Sequence, residues 1–336
     1  MTAPLRLEVK NLSTTLLQRD GALPLVRGVS FELHAGQTLA LVGESGSGKS
    51  LTALSLMRLL ARNARWQCSG EALFTDAAGH SHDLLQLSPT RMRQLRGNQI
   101  AMIFQEPMTC LNPVLPVGEQ IAESVRLHLG LNTTAARAQA LRALEQVEIP
   151  AARQRLDEYP HQLSGGMRQR VMIAMAMVCE PRVLIADEPT TALDVTIQAQ
   201  ILALMSRLQK DTGMSMLFIT HNLGVVAHHA ERVAVMYAGQ VVEQAGVSEL
   251  FARPAHPYTQ GLLACLPGRA RQLARQTGQA VALQDIPGQA PAMDRLGPGC
   301  SFADRCSASL PQCSLQPPPR QGTSAHHRSC HLATQP

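Results

Sequence analysis

The chain of 336 residues has no apolar run long enough to cross a bilayer, which excludes a helical membrane span. Its first residues, Met1-Thr2-Ala3-Pro4-Leu5-Arg6, lack the continuous apolar core of a secretory signal, so a cytosolic location is expected. There is no Cys-x-x-Cys pair, no internal repeat and no sustained heptad, which leaves out inserted zinc modules, solenoids and coiled-coil arms. The eight cysteines of a cytosolic chain are not a disulfide framework. Strong charge of one sign is also missing. A net charge of +5 is compatible with anionic lipid or nucleic acid and is evidence for neither. At 45% hydrophobic and 16% charged residues the chain is globular, long enough for one large domain with an appendage or two modest domains.

What is present begins with Gly43-Glu44-Ser45-Gly46-Ser47-Gly48-Lys49-Ser50. The apolar run 38–42 leads in as a buried strand, and a helical pattern over 51–57 leads out. Glycines at this spacing let successive backbone N–H groups face one concavity at the positive end of a helix, a cradle for phosphates. Lys49 is placed to reach the β- and γ-phosphates, and the Ser50 hydroxyl to ligate Mg²⁺.

Strands are expected at 5–12, 29–33, 70–75, 100–104, 182–186 and 216–220, with a turn at 76–79 and helices over 89–95, 118–148 and 197–208. Residues 232–237 and 240–244 read as a hairpin turning at Ala238-Gly239. Buried strands alternating with helices define an α/β core with a mostly parallel sheet.

Two further patterns carry chemistry. Leu184-Ile185-Ala186-Asp187-Glu188-Pro189 sets two carboxylates at the end of a buried strand, where adjacent acids pack poorly without a task. Asp187 suits the surroundings of Mg²⁺, and Glu188 suits a base that polarises an attacking water. Leu163-Ser164-Gly165-Gly166-Met167-Arg168-Gln169-Arg170 opens a helical run; Ser164 can cap it, and the two glycines expose donors at its positive end. Two phosphate-binding helix ends for one nucleotide imply that each completes a pocket on a partner subunit.

Five elements in order resemble the ATPase subunit of ABC transporters: the Gly43–Ser50 loop, Gln105 after a strand, the 163–167 segment, the 184–188 strand end, and His221 after a strand. The resemblance spans roughly residues 5–263. It implies a P-loop ATPase fold with an antiparallel β subdomain, a helical subdomain at about 105–180, and a small cysteine-containing extension over 264–336. It makes Gln105 a hinge glutamine at Mg²⁺ or water, His221 a switch histidine at the γ-phosphate, and Ala192-Leu193-Asp194 a loop at the opposite subunit's site. Ser164, Gly165, Gly166 and Asp194 thus join Gly43 to Ser50 as nucleotide-binding residues. Met167 stands where most of the superfamily has Gln, and Leu16 and Leu17 stand where an aromatic usually stacks on adenine.

Phe104-Gln105-Glu106-Pro107-Met108, Asn112-Pro113, Tyr159-Pro160-His161-Gln162 and His256-Pro257-Tyr258-Thr259 resemble the dipeptide, oligopeptide, glutathione and nickel importer branch. That resemblance implies ATP and Mg²⁺ as ligands and two permease subunits as partners. It also implies a second ATPase subunit, a heterodimer being favoured over a homodimer, and a periplasmic substrate-binding protein. The chain would lie on the cytoplasmic side of a bacterial inner membrane. A soluble ABC ATPase acting on nucleic acid is the reading from another class, and a nickel or glutathione importer a nearer one.

The segment 267–336 is poor in apolar residues, so either a flexible tail or a metal-nucleated unit is expected. Cys300, Cys306, Cys313 and Cys330 suit Zn²⁺ or an iron–sulfur cluster, with His326, His327 and His331 able to replace Cys330 in a zinc site. The resemblance favours a [4Fe–4S] cluster.

Overall fold

A computed structural model describes residues 3–19, 21–106, 110–191, 193–266, 268 and 285–332. The chain divides into two compact units: 1–7, 32–37 and 73–218 form one, and 8–31, 38–72 and 219–336 the other.

In the first unit the strands Ile100–Ile103 and Val183–Asp187 pair in parallel, with Ile103 opposite Ala186. Every residue of both strands is buried, as continuous apolar runs in a parallel sheet require. The expected long helix over 118–148 is two helices, Val117–Leu129 and Thr133–Gln146. Gly130 takes the left-handed conformation that ends the first, and the Asn132 side chain accepts the Ala135 N–H at 2.9 Å to start the second. Both pack with the helix Gly165–Met177, whose later residues are buried almost without interruption. The helix Val195–Thr212 starts two residues before the amphipathic pattern and ends on left-handed Gly213.

In the second unit the strand Thr38–Val42 pairs in parallel with Arg232–Tyr237, Val42 lying opposite Val235. The latter turns through Ala238-Gly239 into Gln240–Gly246. Both turn residues have positive φ, 45° and 79°, the geometry a two-residue hairpin demands. The sheet continues past Gln240–Gly246 into two short strands of the extension, His327–Ser329 and then Arg320–Gly322.

Those strands change the expectation for the extension. Its described part is neither a flexible tail nor a unit without a core. Phe302 is 4% exposed and packs with Tyr237, Tyr258 and Leu263 in the hydrophobic core of the unit. Three aromatic rings and His256 surround one another there, with Phe302 at 5.2 Å from Tyr237, 5.4 Å from Tyr258 and 5.9 Å from His256. The segment need not supply a core because it shares one. Among the described residues no helix is long and apolar enough to cross a membrane.

Candidate nucleotide-binding residues

The phosphate loop follows the strand Thr38–Val42 and runs into the helix Lys49–Leu56, two residues earlier than its pattern begins. The parallel pairing places Gly43 against the backbone of Met236. A Cβ on Gly43 would sit 2.2 Å from the Met236 carbonyl oxygen and 2.8 Å from Ser47 Oγ, so no larger residue fits without a shift. Gly46 and Gly48 hold φ of 78° and 98°. The hairpin turn touches the loop as well: the Gly239 N–H donates to the Ser47 carbonyl at 2.9 Å. Lys49 is only 4% exposed; its ammonium donates to the carbonyls of Gly43 and Glu44 at 2.8 and 2.9 Å. A buried ammonium on carbonyl dipoles is stable until a stronger anionic acceptor enters the loop. Ser45 and Gly46 are exposed, and Ser50 is half-buried at the first turn of the helix.

In the first unit, the register that sets Ile103 opposite Ala186 carries Gln105 and Glu188 off the same strand ends together. Gln105 Nε2 donates to Glu188 Oε2 at 3.4 Å, and Thr191 Oγ1 donates to the same oxygen at 2.9 Å. Glu188 holds φ of 45°, a left-handed conformation unusual for a non-glycine residue, immediately after buried Asp187. The carboxylate is therefore aimed by backbone strain and by two donors rather than left to rotate.

Ser164 caps Gly165–Met177 as its sequence implies, accepting the Met167 N–H at 3.3 Å. A Cβ on Gly166 would meet Ile197 Cγ2 at 3.0 Å, whereas one on Gly165 would meet nothing within 4 Å. Gly166 has a packing reason to be glycine; among the described residues nothing gives Gly165 one. Asp194 is an exposed N-cap, accepting the Ile197 N–H at 2.9 Å. Ala192 lies outside the described residues, as do Pro107 and Met108. His221, in the second unit, follows the strand Ser215–Thr220 and is exposed, just ahead of the helix cap Asn222. Leu16 and Leu17, the residues expected against adenine, are half-buried.

The four cysteines of the extension lie near one another, but among the described residues they do not form a metal-holding group. Burial raises the Cys300 thiol, and the neighbouring Cys313, Cys330 and Cys306 raise it further, so the four lie within electrostatic range of one another. Yet among the described residues no group of three or more His, Cys, Asp or Glu side chains is set to hold an ion. Burial likewise pushes up the Cys306 thiol, and Cys330 and Cys313 raise it further. The three histidines are engaged elsewhere. His326 Nε2 lies 2.8 Å from Glu243 Oε1, His331 Nε2 3.0 Å from the Gln316 carbonyl, and His327 Nδ1 3.2 Å from Arg320.

Sequence reasoning offered no physical account of His256-Pro257-Tyr258; the structure supplies one. Glu243, fully buried, accepts the N–H groups of Ala255 and His256 at 2.7 and 2.9 Å. His256 Nδ1 then caps the helix Pro257–Ala264 by accepting the Tyr258 N–H at 3.1 Å. Tyr258, thus placed, accepts the Glu44 N–H of the phosphate loop on its hydroxyl at 2.9 Å. Arg305 was missed too: its guanidinium forks onto the Glu44 carboxylate at 2.7 and 3.1 Å. A Pro at the first position of a helix after a potential cap was the only local signal for the Tyr258 contact. None existed for Arg305.

A strand, a glycine-rich turn closing on a lysine, and a helix define a P-loop nucleotide-binding protein. The chain matches the ABC transporter family over residues 26–191 and the oligopeptide/dipeptide transporter C-terminal region over 242–313. It is 50% identical over 325 residues to a protein of Brucella melitensis named as a peptide import ATP-binding protein, covering 96% of this chain and 95% of that one. It is 59% identical over 260 residues to the glutathione import ATP-binding protein GsiA of Pectobacterium atrosepticum, covering 77% of this chain and 42% of that longer protein. Among solved structures it resembles cbiO1 of Clostridium perfringens, part of an ABC transporter complex, with a TM-score of 0.62 at 25% identity over 82% of this chain and 99% of that one. A dimeric ATP-binding cassette bound to ADP and phosphate matches with the same TM-score and identity over 72% of this chain and 98% of that one. The chain belongs to the ABC transporter ATP-binding family, and it is an ATPase.

Proposed function

We propose that the chain energises import of dipeptides, oligopeptides or peptide-like solutes across a bacterial inner membrane, bound at its cytoplasmic face to two permease subunits. The observation that carries this reading is the union, in one chain, of the ABC transporter match with the oligopeptide/dipeptide transporter C-terminal region. A second ATPase subunit closes against it head to tail, a heterodimer being favoured, and a periplasmic binding protein delivers the solute. Gly165 supports the head-to-tail reading: among the described residues nothing would meet a Cβ there, which leaves room for another subunit's nucleotide to approach.

In this reading the Gly43–Ser50 loop binds ATP and Lys49 exchanges its carbonyl partners for the β- and γ-phosphates. Ser50, Gln105 and Asp187 are the residues that would hold Mg²⁺, whose charge offsets that of the phosphates when bound. A hydroxyl, an amide and a carboxylate are each oxygen donors of the kind a hard cation takes. Glu188 polarises the attacking water, His221 stabilises the γ-phosphate and Glu188, and Ser164, Gly165, Gly166 and Asp194 meet the partner's nucleotide. A helical-subdomain cavity of about 730 Å³ lined by Pro113, Val114, Tyr159 and His161 supports permease contact, since 74%-exposed Val114 is an apolar side chain left for a partner.

The identity to the glutathione import protein favours glutathione as a second substrate reading. The test is solute uptake by a strain lacking this gene, complemented with the native chain or with Glu188→Gln. Loss of labelled di- and oligopeptide uptake, restored only by the native chain, is expected. Unchanged peptide uptake with loss of glutathione or nickel uptake would reassign the substrate.

A further inference from the structure

Glu44, the second residue of the phosphate loop, has each of its polar groups taken. Its N–H goes to Tyr258, its carbonyl accepts from Lys49, and its carboxylate receives the two arms of Arg305. A carboxylate on a loop that receives a triphosphate is an electrostatic liability, because like charges in a partly buried site repel strongly. Arg305 comes from the extension, 261 residues away in sequence, and it is held before it reaches Glu44. Its Nε donates to the Pro287 carbonyl at 2.8 Å, and one terminal nitrogen donates to the Tyr237 hydroxyl at 3.3 Å. The guanidinium carbon lies 5.8 Å from the Tyr237 ring centre and 5.9 Å from that of Phe302. The side chain is 7% exposed, and its charge is stabilised further by the Glu44 carboxylate first and by Tyr237 after it. A planar fork fixed in this way makes two charge-assisted bonds with little further ordering.

We propose that Arg305 is a positioning residue for ATP binding. It neutralises the Glu44 carboxylate and pins it away from the incoming phosphates, so that the C-terminal extension sets the charge and shape of the phosphate loop. The proposal rests on Gly43–Ser50 being the nucleotide loop, and it gives the extension a part in nucleotide affinity in addition to its packing. Arg305 does not touch the nucleotide; it acts through Glu44.

The decisive measurement is the Kd for a fluorescent ATP analogue on the full-length chain, with Mg²⁺ present, for the native protein and a set of variants. Arg305→Ala is expected to weaken binding about tenfold, the size of one uncompensated charge in a partly screened site, and the loss should shrink as salt rises. Adding Glu44→Gln to Arg305→Ala should recover most of the lost affinity, because the unpaired charge is then gone. A merely structural role for Arg305 predicts no such recovery. Should Arg305→Ala fail to fold, Arg305→Gln, able to keep the Pro287 bond while losing the charge, should show the same loss and the same recovery, and Arg305→Lys, which keeps the charge but not the fork, should fall between the native protein and Arg305→Gln. Native-like Kd in the charge-removing variants, or a loss that Glu44→Gln leaves untouched, overturns the proposal. A native chain with no affinity for ATP, or Lys49→Ala binding as tightly as native, overturns the nucleotide-loop reading itself, whereas loss of binding in Lys49→Ala beside native-like Arg305 variants overturns this proposal alone.

Discussion

Two buried cations meet the same short loop, and they reach it by opposite routes. Lys49 is held by carbonyls five and six residues before it, whereas Arg305 holds a carboxylate 261 residues away. The first arrangement is written into a run of eight residues, since glycine spacing and a following helix suffice to specify it. The second exists only because Phe302 sits in the core made by Tyr237 and Tyr258, which delivers Arg305 to the loop. Locally built chemistry and remotely built support therefore ought to respond differently to substitution. The first should lose reaction without losing fold, and the second should lose fold around an intact set of reacting groups.

The largest effect is expected at Glu188, whose aim comes from its own backbone and from Thr191 three residues on. Glu188→Gln should retain ATP binding while turnover falls by about 10²–10⁴-fold, the usual loss for a positioned base. Single-turnover hydrolysis alongside equilibrium binding checks this, and near-native turnover would remove Glu188 from the chemistry. Phe302→Ala strikes the other kind of region. It should lower the stability of the extension's packing by about 3–5 kcal/mol, the cost of emptying a buried phenyl site. Hydrogen exchange would show residues 285–332 opening while the strand Thr38–Val42 stays protected; equal loss at both would dissolve the contrast.

Acid should act in the same place. Burial foremost, with Arg328 next, holds His256 down to about 4, and burial with Arg320 and Arg232 does the same to His327. The unfolded chain takes up these protons near the ordinary value of 6.5 and the folded one only near 4. Between those values the unfolded state binds more protons, so stability falls as pH drops from about 6.5 to 4. Protease sensitivity of the extension measured at pH 7, 5 and 4 should rise in that order, and a flat response would sever His256 and His327 from its packing. The smallest change is expected from Cys300→Ser with Cys306→Ser, within about 1 kcal/mol, because Phe302 and Arg305 rather than a metal hold this segment. Release of the extension in that variant, with loss of bound iron or zinc, would make metal the anchor after all.

How much could be read in advance follows the same division. The strand Thr38–Val42, the helix Pro89–Leu95 and the hairpin at Ala238-Gly239 fall where periodicity and turn chemistry put them. The 118–148 helix was read through Gly130 because its alanines and leucines continue the helical pattern on both sides. A single left-handed glycine and an asparagine cap outweigh that pattern, since the first turns the chain out of the helix and the second accepts an N–H at the start of the next. Gln105 and Glu188 were recognisable separately, but their meeting depends on the register of Ile103 against Ala186, and the side-chain period of a strand does not encode its partner's alignment.

The sequence by itself determined the glycine spacing of the phosphate loop, where its strand and helix lie, and that Ser164 and Asp194 cap their helices. Each of those depends on dihedral preference, periodicity or spacing within a few residues. Only the tertiary structure decided that an apolar-poor extension has a core, that Tyr258 and Arg305 converge on Glu44, and that the four cysteines come near one another without forming a site. Those outcomes depend on which buried surfaces share a core and on which charges that core brings within hydrogen-bond reach. Burial and electrostatics act through space, so they leave little mark on any single stretch of chain.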